Sequence, residues 1–266
     1  MKSCVLFAGL YADGITSFTE SAKSRDHTER MLKSFGAKIE VNKNTVSING
    51  IAKLHPSDVF IPGDISSAAF FMVAAAIVKN SELKIKNVGI NPTRTGIVDV
   101  LKRMGAKIEI ENKREIVGEP IANIIVKSSA LKSTNIELSE IPLLIDEIPI
   151  IAVAATQSEG ITKITGAKEL RVKETDRLKA MSSELKKMGA DIQELEDGLI
   201  IKGPTKLKGV KVDSYKDHRI AMSLAIASLV AEGETEISDR ESVNITIPQF
   251  WNLFKNINIY GDCCKP

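Results

Sequence analysis

The chain has 266 residues, 43% hydrophobic and 26% charged, with 36 basic against 34 acidic side chains. Such a balance excludes the clustered cationic excess of most nucleic-acid binders, and 5% aromatics leave little for base stacking. No run approaches the ~20 apolar residues that cross a bilayer, so neither nucleic acid nor a membrane is expected as a partner. The cysteines, Cys4, Cys263 and Cys264, are odd in number and two are adjacent, which argues against a disulfide framework and for a reducing cytoplasm. Cys4 is expected to pack as a small apolar residue, and Cys263 and Cys264 to lie in a tail rather than a metal site.

A helix of small and apolar residues, a polar turn at Ala12-Asp13-Gly14 and a short strand are expected over residues 5–19. The same series returns over 68–86, 150–164 and 220–237, with apolar-polar alternation marking the strands. Between these copies, residues 32–40, 101–109 and 185–193 read LKSFGAKIE, LKRMGAKIE and LKKMGADIQ. Each is a helix end, a glycine suited to the left-handed cap, and a strand. Residues 59–67, 141–147 and 210–219 are expected to supply a strand and a polar loop ahead of the second, third and fourth helices. The first helix lacks that lead-in, so the chain reads as the carboxyl-terminal part of a longer protein, opening within a unit. The unit is strand, helix, strand, helix, strand, strand. Packed α/β units fit it better than a solenoid, whose periods are usually shorter. Pro62-Gly63 marks a boundary, giving a partial first domain at 1–62, a fuller second domain at 63–258 and a tail at 259–266.

The loops before helices are where chemistry is expected, because helix amino termini present unpaired N–H groups to anions. Residues 23–29 hold a capping-box-like Asp26…Glu29 pair among extra cations. Asp64, Ser66 and Ser67 are good capping types, with a phosphate contact as the minority reading. Residues 91–96 are read as a cap. Asp146 and Glu147 sit side by side in an apolar stretch. A carboxylate there has a raised pKa and suits proton transfer, and for Asp146 function and capping remain open alternatives. Arg171, Lys173, Glu174, Asp176 and Arg177 crowd together, with Lys173 and Arg177 at i, i+4 on one helix face. That spacing suits an anion grip with a proton donor or acceptor, against the competing reading of a solvated helix start. Asp217 can cap, while His218 and Arg219 fall in a positive first turn that needs an anion to offset them. Polar clusters at equivalent places in successive repeats point to one cleft for a phosphorylated or carboxylated ligand.

Residues 62–69 (PGDISSAA), 91–96 (NPTRTG), 170–177 (LRVKETDR) and 217–222 (DHRIAM) together resemble the 5-enolpyruvylshikimate-3-phosphate synthase family. Residues 24–29 (SRDHTE) and 145–149 (IDEIP) are similar to it as well, and the likeness runs in order from about residue 2 to about 250. The resemblance implies two domains, each of three βαβαββ units, incomplete here at the N-terminus. It implies transfer of the enolpyruvyl group of phosphoenolpyruvate to the 5-hydroxyl of shikimate 3-phosphate, releasing phosphate on the route to chorismate. No cofactor or metal is implied, and a monomer is expected. By motif, Asp146 is the implied proton acceptor and Glu174 the group that exchanges protons with the enolpyruvyl methylene. Lys173 and Ser24 are implied to contact shikimate 3-phosphate. Arg177 and Arg219 are implied to grip phosphoenolpyruvate, with His218 beside them. The family's Gly-Asp-Lys-Ser loop, a further Arg and its Ser-Ala-Gln motif have no counterpart here, and 243–248 lacks a Lys that some members carry. A truncated chain that keeps the fold without turnover is therefore the alternative to an active transferase. A related transferase acting on a UDP-sugar is disfavoured, because its mobile-loop cysteine has no candidate.

Overall fold

The glycines that follow the repeated helices adopt the left-handed conformation expected of them. In the computed structural model, which describes residues 1–51 and 53–257, Gly36, Gly105 and Gly189 have φ of 96°, 90° and 92°. The expected tail with Cys263 and Cys264 lies outside the described residues. The first repeat comprises α1 (Lys2–Gly9), β1 (Ile15–Thr19), α2 (His27–Ser34), β2 (Ile39–Asn42) and β3 (Thr45–Asn49). The second comprises α3 (Ile65–Ile77), β4 (Glu82–Gly89), α4 (Gly96–Arg103), β5 (Lys107–Ile116) and β6 (Glu119–Lys127). The third begins with β7 (Asn135–Ile136), α5 (Ile141–Leu144), a 3-10 turn (Ile145–Glu147) and α6 (Ile148–Thr156). It continues with β8 (Gly160–Ile164), a 3-10 turn (Lys168–Val172), α7 (Arg177–Lys187), β9 (Asp191–Leu195) and β10 (Gly198–Gly203). The last holds β11 (Leu207–Lys208), β12 (Lys211–Asp213), α8 (His218–Ser228), β13 (Ala231–Glu232), β14 (Glu236–Ser238), a 3-10 turn (Arg240–Ile245) and α9 (Phe250–Ile257).

The repetition extends to the sheets. In the first three repeats the last strand inserts between the other two, giving the orders β1-β3-β2, β4-β6-β5 and β8-β10-β9. All these pairs are antiparallel. β7 extends the third sheet in parallel beside β8, and the last repeat adds the parallel pairs β11-β13 and β12-β14. The chain is thus α/β and built from repeated helix-strand-helix-strand-strand units.

Three helices, α3, α6 and α8, pack on one another at the centre of the larger core. α6 is buried at every position, and α3 and α8 at nearly all. A helix with no polar face belongs in an interior. Alanines such as Ala74, Ala76, Ala154 and Ala225 on these helices are buried in that core. A second, smaller core of Leu6, Leu32, Ala37, Ile39, Val46 and Ile48 lies wholly within the first repeat.

Four expectations need correction. Residues 141–147 are helical and not a strand with a loop, since Pro142 and Pro149 occupy first-turn positions of α5 and α6, where their fixed φ suits a helix. Residues 59–62 form no strand. Pro56 and Pro62 cannot donate to a ladder, and only Gly63 bridges, to Val88. Lys173 does not share a helix with Arg177, because Asp176 caps α7 and Lys173 is extended before it. Cys4 is exposed, on the side of α1 turned away from Leu6.

Two glycines separate backbone strain from crowding. A Cβ on Gly189 would meet only the Lys206 carbonyl, at 3.7 Å, so Gly189→Ala should cost about 1 kcal/mol through its left-handed φ alone. A Cβ on Gly198 would lie 1.8 Å from the Ile164 carbonyl oxygen across the β8–β10 ladder. Gly198→Ala should therefore cost about 3 kcal/mol or more, and urea titration of the two variants should rank them in that order.

Candidate active site

The starts of α3, α6, α7 and α8 converge. Each carries a carboxylate, and each carboxylate has a different task. Asp64 caps α3 through the Ser67 amide at 2.9 Å and also pairs with Arg94 at 2.8 Å. Arg94 in turn donates to the Ser66 hydroxyl at 2.6 Å. Asp176 caps α7 through the Lys179 amide at 3.0 Å, and Arg171 holds its other oxygen at 2.8 Å. Asp217 caps α8 through the Arg219 amide at 2.8 Å. Asp146, just before α6, caps nothing and gathers arginines instead.

Around Asp146 the Arg25 guanidinium donates at 2.6 Å, while Arg177 and Arg219 approach to 3.6 Å each. Arg219 also donates to the Asp146 backbone oxygen at 3.2 Å. Arg177 is almost wholly buried, at 1% side-chain exposure. Its Nε donates to Asp217 at 2.8 Å and its Nη2 to Glu174 at 2.6 Å. Asp217 is fully buried, whereas Glu174 is 52% exposed. His218 stands beside this pair, with Nδ1 4.0 Å from Asp217, beyond hydrogen-bond reach. Burial and the neighbouring Arg219 and Arg177 depress the His218 pKa, which favours the neutral ring.

The two adjacent carboxylates have opposite electrostatics, and not in the sense expected from the apolar run. Burial alone would raise Asp146, but Arg219, Arg25 and Arg177 outweigh it and hold its pKa below the usual range. Glu147 is the more deeply buried one, at 3% exposure. Burial pushes its pKa up, and the opposing pull of Ser66, Arg219 and Arg94 is too weak to reverse the shift. Its Oε1 has no hydrogen-bond partner among the described residues. A pair of neighbours whose acidities are driven apart is a common arrangement where protons move.

Asp146, Glu174, Arg177, Arg219 and His218 thus meet in one place. Lys173 and Ser24 do not join that bonded cluster. Lys173 pairs with Glu169 at 2.8 Å, and the Ser24 hydroxyl bonds Glu20. Arg25 and Asp217 belong to it by direct bonds, and Glu147 stands beside it, bonded to Ser66, although the sequence reading left all three out. The signal for Arg25 was its place beside Ser24 in a cation-rich run. Asp217 was hidden by its ordinary role as a cap, and Glu147 by its neighbour. The run 23–29 also forms no capping box. Asp26 bonds Arg30 at 2.9 Å and Asn91 at 2.7 Å, and Glu29 is buried against Lys2 at 2.7 Å. A cavity of about 500 Å³ lies to the side, lined by Lys2, Glu20, Asp26, Arg30 and Glu115. The chemistry-bearing cluster is outside it.

Chemically, three guanidiniums face three carboxylates, so the cluster neutralises itself in this state. An entering anion must displace a carboxylate from an arginine. Glu174 is the group placed to yield, being half-exposed and joined, among the described residues, only to Arg177. Arg25 can leave Asp146 at equally low cost, since its side chain is 46% exposed.

Known proteins resemble this chain in sequence and in fold. The 3-phosphoshikimate 1-carboxyvinyltransferase of Endomicrobium trichonymphae is 56% identical over 259 residues, covering 97% of this chain and 60% of that protein. The protein of the same name from Petrotoga mobilis is 57% identical with the same coverage. The chain therefore spans about 60% of the length of these curated relatives. The solved EPSP synthase from Acinetobacter baumannii superposes with a TM-score of 0.91 at 44% identity, over 96% of this chain and 59% of that one. The enolpyruvyl transferase NikO from Streptomyces tendae shares the fold, with a TM-score of 0.73 at 18% identity. Residues 1–254 match the model of the family described as EPSP synthase (3-phosphoshikimate 1-carboxyvinyltransferase), and the chain belongs to that family.

Proposed function

We propose that this chain serves the transfer of the enolpyruvyl group from phosphoenolpyruvate to the 5-hydroxyl of shikimate 3-phosphate, with release of phosphate. The observation that carries the reading is the Asp146 cluster: one ionised carboxylate ringed by arginines, with a releasable carboxylate on the buried Arg177. In the first step the 5-hydroxyl oxygen bonds to C2 of phosphoenolpyruvate as Asp146 takes the hydroxyl proton. The double-bond electrons take a proton at C3 from Glu174, which on release from Arg177 takes that proton from solvent, and a methyl group results. In the second step C2–O to phosphate breaks, and Glu174 recovers a proton from that methyl as the new double bond forms. Arg177 and Arg219 hold the phosphoenolpyruvate anion and stabilise departing phosphate, since cations in a desolvated place lower the cost of developing negative charge. His218 stays neutral beside them.

Displacement of Glu174 by the incoming anion gives this scheme an order. Bound to Arg177, Glu174 is an ion-pair partner. Released, it is a free acid or base next to the anion that released it. Lys173 and Ser24 would meet shikimate 3-phosphate only by leaving Glu169 and Glu20. We also propose the two domains to divide at 62/63, a boundary supported by the separate cores on its two sides. The second reading, a fragment without turnover, is favoured by the span of about 60% of the relatives' length.

Phosphate release should be assayed with both substrates, for the 266-residue chain alone and for the chain supplemented with the unmatched portion of a relative. Turnover in neither mixture would overturn the transferase reading, and turnover only on supplementation would support the second. In whichever mixture is active, Asp146→Asn should lower kcat by roughly 10²–10⁴-fold, the span of general-base catalysis. A loss under tenfold would remove Asp146 from that role.

The buried Glu147 carboxyl also makes stability depend on pH. Because the folded state holds the Glu147 proton more tightly than the unfolded chain, stability should fall as pH rises from about 4.5 through the raised native pKa. Glu147→Gln cannot ionise and should escape that loss. Its urea midpoint minus the parent's should therefore grow with pH across this window and then level off. Asp146, with its depressed pKa, titrates below the window and leaves the comparison clean.

A further inference from the structure

Just before the Asp217-His218-Arg219 start of α8, the backbone does something costly. Tyr215 and Lys216 both have positive φ, at 53° and 58°, and the Asp217 amide donates back to the Ser214 carbonyl at 2.9 Å. Two successive left-handed residues in such a turn are ordinarily glycine, asparagine or aspartate. A tyrosine and a lysine hold this conformation only where surrounding contacts overrule their preference.

Those contacts come from one buried carboxylate. Glu184 on α7 is fully buried and accepts from the Tyr215 hydroxyl at 2.7 Å and from the Asp213 amide at 3.0 Å. Lys187 Nζ reaches both its oxygens at 2.8 Å. Asp213 then accepts from the Tyr215 amide at 2.7 Å, which closes the turn from the other side. Glu184 and Arg177 lie seven residues apart on α7, two helical turns along nearly the same face. One helix is therefore fastened to the 213–217 segment twice, by Glu184 at its beginning and by Arg177 on Asp217 at its end.

We propose that Glu184 and Tyr215 are positioning residues, holding the left-handed Tyr215–Lys216 turn so that Asp217 both aligns Arg177 and starts α8 beneath Arg219. Neither touches the reacting atoms. They set the spacing of the two arginines that receive the anion, and the inference deepens the function proposed above and rests on it.

The test uses the 266-residue chain as parent, Tyr215→Phe, and Tyr215→Phe with Lys216→Gly. Phenylalanine keeps the ring and loses the bond to Glu184, while glycine at 216 relieves the backbone cost that the bond offsets. Hydrogen exchange at the Asp217 and Arg219 amides should quicken by about tenfold or more in Tyr215→Phe, as loss of a bond to a charged acceptor implies. The Leu224 amide within α8 should hold its rate, and the double variant should recover the parent's protection at 217 and 219. Titration with phosphoenolpyruvate should follow the same pattern, with weakened binding in the single variant and recovery in the double one. Unchanged exchange at 217 and 219 would overturn the inference. So would a uniform loss of protection through α7 and α8 without rescue, which is plain destabilisation. If the parent itself fails to bind phosphoenolpyruvate, the proposed function loses its support, and the exchange rates still decide the positioning role.

Discussion

Arg177 and Asp217 face each other at 2.8 Å with side chains that are 1% and 0% exposed. Burying two charges is expensive, and a well-packed apolar pair would usually serve stability as well or better. What the ion pair supplies is direction. It joins the first residue of α7 to the cap of α8, and it leaves the remaining guanidinium nitrogens of Arg177 pointing towards Glu174 and Asp146. The places of Glu174, Asp146 and Arg219 are all defined relative to that one guanidinium. Removing either partner would strand a desolvated charge among the central helices.

A buried arginine with three carboxylate contacts accounts for the division of labour around it. Asp217 is permanent, being fully buried and committed to two donors. Asp146 is shared with Arg25 and Arg219 and stays ionised. Glu174 is the exposed member whose departure opens the arginine. Arg25 reaches across from the first repeat, and so do Arg30 to the Gly118 carbonyl at 2.8 Å and His27 to Glu119 at 2.7 Å. These links are polar and at least partly exposed, unlike the dry packing of α3, α6 and α8. The contact between the first repeat and the rest is therefore polar and open to screening by salt.

Much of the scaffold was readable from the chain because its signals are local and repeated. Gly36, Gly105 and Gly189 each follow a helix and precede a strand, and one residue's backbone freedom suffices to identify each. The apolar stretch around 141–153 could not be read in the same way, since an uninterrupted hydrophobic run suits a buried strand as well as a buried helix. At 173–177 the charge spacing suggested one continuous helical face, but Asp176 is a capping residue and starts the helix after itself. The cluster was legible in membership for Asp146, Glu174, Arg177, His218 and Arg219. Its electrostatics were not, because which of Asp146 and Glu147 keeps a lowered pKa depends on arginines that lie far away in sequence.

The buried alanines of α3, α6 and α8 carry a further consequence. Interaxial distance between packed helices follows the size of the side chains at the contact. The amino ends of these helices hold Ser66, Asp146 and Asp217, and so the separations among those groups follow from how the three helices pack. A single added methylene at Ala74 or Ala154 would act as a wedge, prising the charged ends apart without touching them. The dimensions of the charged cluster are in this sense a property of the least polar part of the protein.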